Sequence, residues 1–478
     1  MSCGEKAWDL IQVECMKAWL LNQWDRLLNS LWLFPAIGMV AATAFAAVLL
    51  RIDDALHAEN IPPHWPVTTA PAARATLTTL ASGLMTIAGV VFSITMLTLA
   101  QTSSLFGSRL LRSFLNHNIT QFTLAVFLGT SLYCFVVLWT IRDVNGEEKF
   151  VPHLSISVGL ALGLVSLGTF VYFIHHVSRS IQAQTVVRNV ATELTDAIDR
   201  IFPKEGEPPD GESARNIESV DDAEHGLTVA VESRVNGYIQ AVDENTLLEI
   251  AAGHNVLIRV KKRPGHFVAA GTPIAVVCER EDTADLAPAI NECFLTGSRR
   301  TPRQDVECAI QELVEVAVRA LSPGINDPHT AVTCVDYLGA ALSRIVERRP
   351  PSPFLFDQDG VVRVIVDRAD FVGALNTAFD EVRQSGRGNA SVTIRLAETL
   401  LAIARKADEQ ADCEALMRQV EMLSRGCDEA IPERYDRADV HARLREVREL
   451  LGAGDSPKAA TEQTRASTTA ADERTRPA

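Results

Sequence analysis

Between Arg74 and Arg109 the chain reads ATLTTLASGLMTIAGVVFSITMLTLAQTSSLFGS, without one charged side chain. A helix needs about 20 apolar residues to cross a hydrocarbon core of about 30 Å, because the backbone must satisfy its own polar groups there. This stretch meets that length. Working outward, three more segments do the same, which predicts four transmembrane helices at about 31–50, 77–100, 121–141 and 154–174.

The short loops predict the orientation, since Lys and Arg are retained on the cytoplasmic side. Arg109 and Arg112 follow the second span without an acid, and Arg179 and Arg188 follow the fourth. Asp53, Asp54 and Glu59 follow the first span, and Asp143, Glu147 and Glu148 lie after the third. Both termini and the soluble remainder are therefore expected in the cytosol of a bacterial inner-membrane protein. No acid or base is expected within a span, which argues against a proton relay.

The second span is rich in hydroxyls. Thr79, Ser82, Thr86, Gly89 and Ser93 recur at spacings of three and four, so they share one seam of the helix. Two readings fit: close packing of helices through small residues, and a polar lining around an aqueous path in a homo-oligomer, with Arg109 and Arg112 at its cytosolic mouth.

Residues 1–30, with Trp8, Trp19 and Trp24, read as an interfacial amphipathic segment rather than a secretory signal. Residues 181–202 are expected as a helix continuing from the fourth span, with Val186, Val190, Leu194 and Ile198 on one stripe. An acidic linker is expected at 203–225 and a disordered tail at 452–478. Net charge is -15, which disfavours nucleic acid as a partner because phosphates need a basic face. The nine cysteines are scattered and read as reduced, mostly buried thiols, with no metal-ligand spacing.

The soluble part reads as two pieces, giving an α+β chain overall. Residues 226–282 hold short β-rich runs at Leu227–Val231, Val235–Val242, Val256–Val260 and Ile274–Val277, with glycine-bearing turns, and predict a small β-sandwich or barrel. About forty of these residues resemble the half-motif of biotinyl and lipoyl carrier domains. The expected turn, Asp243, Glu244, Asn245, has no lysine to modify, so no cofactor is expected. Residues 283–451 predict a helical bundle. Within it the phrase Ser322, Pro323, Gly324, Ile325, Asn326, Asp327, Pro328, His329 joins two helices, with Asp327 suited to an N-cap and Pro328 to the first helical position. Ser322, Gly324, Asn326, Asp327 and His329 form either a tight connection or a ligand-binding loop at a helix N-terminus. No nucleophile or phosphate loop accompanies them, so an enzyme is not expected.

Three phrases carry a family resemblance: Gly89–Thr95 (GVVFSIT), Phe106–Arg112 (FGSRLLR) and Ala320–Ala331 (ALSPGINDPHTA). Together they resemble the bacterial predicted membrane protein family known as domain of unknown function 2254, over roughly residues 30–430. The resemblance implies a four-span region and a cytosolic domain, and transfers no activity. Three functions follow as expectations. The first is a channel-like conduit with a cytosolic vestibule or gate; its ion or small molecule is not specified by the sequence. The second is a membrane-anchored sensor or scaffold, and the last a hydrolase around Asp327 and His329.

Overall fold

The structure is a computed structural model, and it describes residues 32–58, 69–106, 118–144, 147–180, 183–202, 228–278, 286–348 and 352–452. The expected interfacial segment 1–30, the acidic linker 203–225, almost all of the tail, and Arg109 and Arg112 lie outside the described residues. The chain divides into two compact units, Met1–Gln182 and Ala183–Ala478.

The first unit holds four long apolar helices: α1 (Leu33–Ala58), α2 (Ala70–Phe106), α3 (Asn118–Thr140) and α4 (His153–Ser180). All four are long and apolar enough to cross a membrane. A short antiparallel hairpin, β1 (Arg142–Val144) and β2 (Glu147–Phe150), joins α3 to α4. Helix α2 starts seven residues earlier than expected, and its 37 residues make it about 55 Å long at 1.5 Å per residue. The helices also reach past the expected apolar cores into charged residues. Arg51, Asp53 and Asp54 lie within α1 and Arg74 within α2, which corrects the assignment of Asp53 and Asp54 to a loop. The apolar window alone does not mark a helix end when charged termini find partners.

Helix α3 is the centre of this unit and packs on α1, α2 and α4. Glycine sets the α1–α3 approach: a Cβ on Gly38 would stand 2.9 Å from the Ala125 Cβ, and one on Gly129 would stand 3.1 Å from the Gly38 carbonyl oxygen. Lipid gives no hydrophobic drive between helices, so close backbone approach and van der Waals contact hold them. Buried hydroxyls add cross-links. Ser131 Oγ donates to the Ala81 carbonyl at 3.1 Å, and Ser166 Oγ lies 3.3 Å from Thr130 Oγ1.

The second unit begins with α5 (Ala183–Ile201), which buries Val187, Val190, Leu194 and Ile198 within this unit. Its β part contains β3 (Thr228–Glu232), β4 (Gly237–Val242), α6 (Glu244–His254), β5 (Leu257–Val260), β6 (Phe267–Val268), β7 (Pro273–Cys278), α7 (Leu286–Glu292) and β8 (Phe294–Gly297). The helices that follow are α8 (Val306–Ala320), α9 (Pro328–Val346), α10 (Phe371–Gly386), α11 (Ala390–Ala404), α12 (Gln410–Ala430) and α13 (Arg434–Gly452). Between α9 and α10 lies a hairpin, β9 (Phe354–Phe356) and β10 (Val362–Ile365).

The strands form a five-stranded sheet in the order β3-β7-β5-β10-β9 and a three-stranded sheet in the order β6-β4-β8. Both contribute to one core that includes Val231, Ile239, Val242, Leu247, Ile258, Val277 and Val364. Two expectations are corrected. Asp243, Glu244 and Asn245 do not form a hairpin turn. Asp243 caps α6, its Oδ1 accepting the Thr246 N–H at 3.1 Å, and Asn255 at φ 52° ends that helix. The β module is also not confined to 226–282, because β8, β9 and β10 complete its sheets from within the region read as helical. Strand β10 pairs in parallel with β5, Val364 opposite Ile258 and Ile365 opposite Arg259, a pairing that no local pattern encodes.

Candidate functional site

Helix α2 has two opposite faces. Ala70, Ala73, Leu77, Ala81, Leu84, Ala88 and Val91 are buried, at spacings of three and four, against α3 and α4. Thr79, Ser82, Thr86, Gly89 and Ser93 are all exposed on the subunit. At 100° per residue their mean direction lies roughly opposite the buried stripe. The seam therefore packs on no other helix among the described residues. A Cβ on Gly89 would meet nothing within 4 Å.

Close packing of small residues inside the subunit falls at other positions, namely Gly38 against Ala125, and Gly163, whose Cβ would meet Leu80 at 2.7 Å. Seam hydroxyls bond to their own helix: Thr79 Oγ1 to the Ala75 carbonyl at 2.8 Å, Ser82 Oγ to Thr79 at 3.1 Å and Thr86 Oγ1 to Ser82 at 2.9 Å. Each hydroxyl oxygen keeps its acceptor capacity for water or an ion. Elsewhere the exposed surface of the bundle carries large apolar side chains, such as Val40 on α1, Trp139 on α3 and Leu164 and Val171 on α4, the composition that lipid favours.

At one end of the bundle a polar clasp joins the helices. The buried Asp53 carboxylate accepts the Leu154 N–H at 3.0 Å, the Ser155 N–H at 2.9 Å and the Ser155 hydroxyl at 2.6 Å. Tyr133 donates its hydroxyl to the Ser155 carbonyl at 2.8 Å, and Arg74 donates to the Ile141 carbonyl at 3.0 Å. These contacts satisfy the free N–H groups that open α4 and a carbonyl just beyond α3. The sequence reading missed them. The available signal was an acid at the end of one apolar run facing a Ser two residues into another.

In the second unit the loop phrase folds as a tight connection. The Asp327 N–H donates to the Ala320 carbonyl at 2.8 Å, and Asn326, at φ 49°, donates its N–H to the Ser322 carbonyl at 2.9 Å. Asp327 caps α9: Oδ1 accepts the Thr330 N–H at 3.1 Å and Oδ2 its hydroxyl at 2.6 Å. The Thr330 hydroxyl bond, ahead of the backbone contacts, holds the Asp327 carboxyl below its usual value. Gly324, Asn326 and His329 are exposed around this cap, and Ser322 donates its hydroxyl to the Arg319 carbonyl at 2.7 Å.

A charged seam anchors the loop 262–266 to α8. Arg263 bonds Glu307 at 2.7 Å, and Arg300 grips Asp305 through two bonds of 2.8 and 3.0 Å. Gly265, at φ 96°, passes directly over Asp305. Desolvation, aided by Arg263 and Lys262, lowers the pKa of the neighbouring His266.

Four apolar helices long enough to cross a membrane, tied by a polar clasp and followed by a mixed α/β unit, are the architecture of a multi-pass membrane protein. The chain belongs to the family described as predicted membrane protein (DUF2254), whose model matches residues 28–402. It is similar to the uncharacterized protein Rv1290c of Mycobacterium tuberculosis and the uncharacterized protein Mb1321c of Mycobacterium bovis, each 29% identical over 444 residues. The match covers 90% of this chain and 82% of each relative. No solved structure matches.

Proposed function

We propose that this is a bacterial inner-membrane protein whose second span lines a conduit at the axis of a homo-oligomer. Both termini and the second unit lie in the cytosol, where that unit acts as vestibule or gate. The reading gives it no catalytic role. One observation carries it: α2 turns the hydroxyls of Thr79, Ser82, Thr86 and Ser93 away from its own bundle, on a face they share with the exposed Val90 and Leu97. A surface of Thr, Ser and Gly suits a second copy or water better than acyl chains.

Ion flux into proteoliposomes tests it, comparing the unaltered chain with a variant carrying Ser82→Leu, Thr86→Leu and Ser93→Leu. Flux lost in a variant that stays folded supports the conduit, and equal flux in both refutes it. No flux in either shifts weight to the second reading, a membrane-anchored sensor or scaffold. That reading is favoured by the exposed Asn326 and His329 beside the α9 cap and by an arginine-lined cavity in the same unit.

A further inference from the structure

The cavity lies where the end of α10, the first turn of α11 and the last turns of α12 meet, and its volume is about 210 Å³. A single water needs only about 10–15 Å³ by the same kind of measure. Arg383 and Arg387 reach it from α10 and its cap, Arg425 and Glu429 from α12, and Thr393 from α11. Three guanidiniums therefore face one carboxylate.

The arginines are incompletely used. Arg387 donates to Glu429 at 2.8 Å. Arg383 reaches Asp380 only at 3.4 Å, and that same carboxylate oxygen already accepts the Gln419 amide at 2.9 Å. The Arg383 Nε is buried and meets no hydrogen-bond acceptor among the described residues. Arg425 is exposed and makes no ion pair among the described residues. A buried N–H needs an acceptor, and an oxyanion in the cavity offers one.

We infer that this cavity binds a phosphate-class oxyanion, held by Arg383, Arg387 and Arg425. The planar fork of a guanidinium matches two oxygens of a tetrahedral or carboxylate anion, and several arginines around one cavity select for it. Glu429 competes with the ligand for Arg387, so the site is tuned by that pair. This reading stands apart from the conduit, because it concerns the second unit alone.

Two sources supply such a group, a soluble phosphate compound and a phospholipid headgroup. The test titrates the detergent-solubilised full chain with inorganic phosphate and, separately, with short-chain phosphatidic acid, at constant ionic strength so that screening does not vary. Calorimetry reads the affinity. Arg425→Ala, whose side chain makes no ion pair to lose, should weaken binding about tenfold or more, the worth of a charged hydrogen bond. Glu429→Gln should strengthen it. Response to inorganic phosphate identifies the soluble source, and response to phosphatidic acid alone identifies the headgroup. Binding of neither ligand, or binding of equal strength in the unaltered chain and in Arg425→Ala, overturns the inference.

Discussion

The Asp53 carboxylate at the end of α1 and Ser155 in the first turn of α4 are joined twice, by the Ser155 N–H at 2.9 Å and its hydroxyl at 2.6 Å. The fourth span thus takes its N-terminal cap from the first, about a hundred residues away. Replacing Asp53 by Ala leaves the Leu154 and Ser155 N–H groups without that acceptor, which costs about 1–3 kcal/mol. Asp53→Asn keeps an acceptor oxygen and should lose less. Thermal unfolding in detergent reads both, and equal stability of Asp53→Ala and the unaltered chain would refute the clasp.

Gly38 and Gly129 set the distance between α1 and α3. Gly38→Val puts side-chain atoms where the Ala125 backbone stands, and overpacking of this kind costs about 1–3 kcal/mol. Gly89→Ala, which meets open space, should leave the stability of the subunit nearly unchanged. Comparing their melting temperatures checks the contrast.

Asp327 caps α9 through Thr330. Asp327→Ala should lower stability by about 0.5–2 kcal/mol, and Asp327→Asn by less, since Asn also caps helices. Chemical unfolding followed by circular dichroism gives the difference. A loss of ligand binding at unchanged stability would instead make the loop a recognition element.

Asp412, in the first turn of α12, is 8% exposed, and burial, with Glu409 and Asp370 nearby, pushes its pKa up to about 6. Unfolded, the same group titrates near about 4. Below about pH 4 both states are protonated and burial costs nothing. As pH rises towards 6 the unfolded state ionises first, so stability falls, and the full cost stands above 6. Asp412→Asn should therefore gain about 1–3 kcal/mol at pH 8 and little at pH 4. Urea unfolding at the two pH values tests the sign.

Gly265 combines φ 96° with a backbone that passes over Asp305, whose carboxylate a Cβ would displace. Gly265→Ala is expected to cost more than 1 kcal/mol, roughly the sum of backbone strain and a disturbed Arg300–Asp305 pair. Chemical unfolding of the two chains measures it.

The local readings that succeeded rest on local causes. An uncharged run such as 75–108 permits only a helix in lipid, so the four spans were legible from composition, and Asp327 before Pro328 is a cap signal complete in itself. Asp243 was misread because an acidic turn and a capped helix begin with the same residues. The outcome turns on Leu247 and Ala251, which α6 buries in the β core. The hairpin at Phe354–Ile365 had a signal, Asp359–Gly360 between apolar runs, but its strands are too short to outweigh the helices around them.

The candidate sites divide the same way. Residue spacing alone placed Thr79, Ser82, Thr86, Gly89 and Ser93 on one seam, because a helix repeats every 3.6 residues wherever it sits. Which way that seam faces was decided by α3 and α4, which take the opposite stripe of α2. The Asp53–Ser155 clasp and the Arg383, Arg387 and Arg425 cavity bring together residues from different helices. Sequence by itself determined the four apolar spans and the long helices, since periodicity and hydropathy act over a few turns. Only the tertiary structure decided the partners, since hydrogen bonds and charges act across space, whatever the distance along the chain.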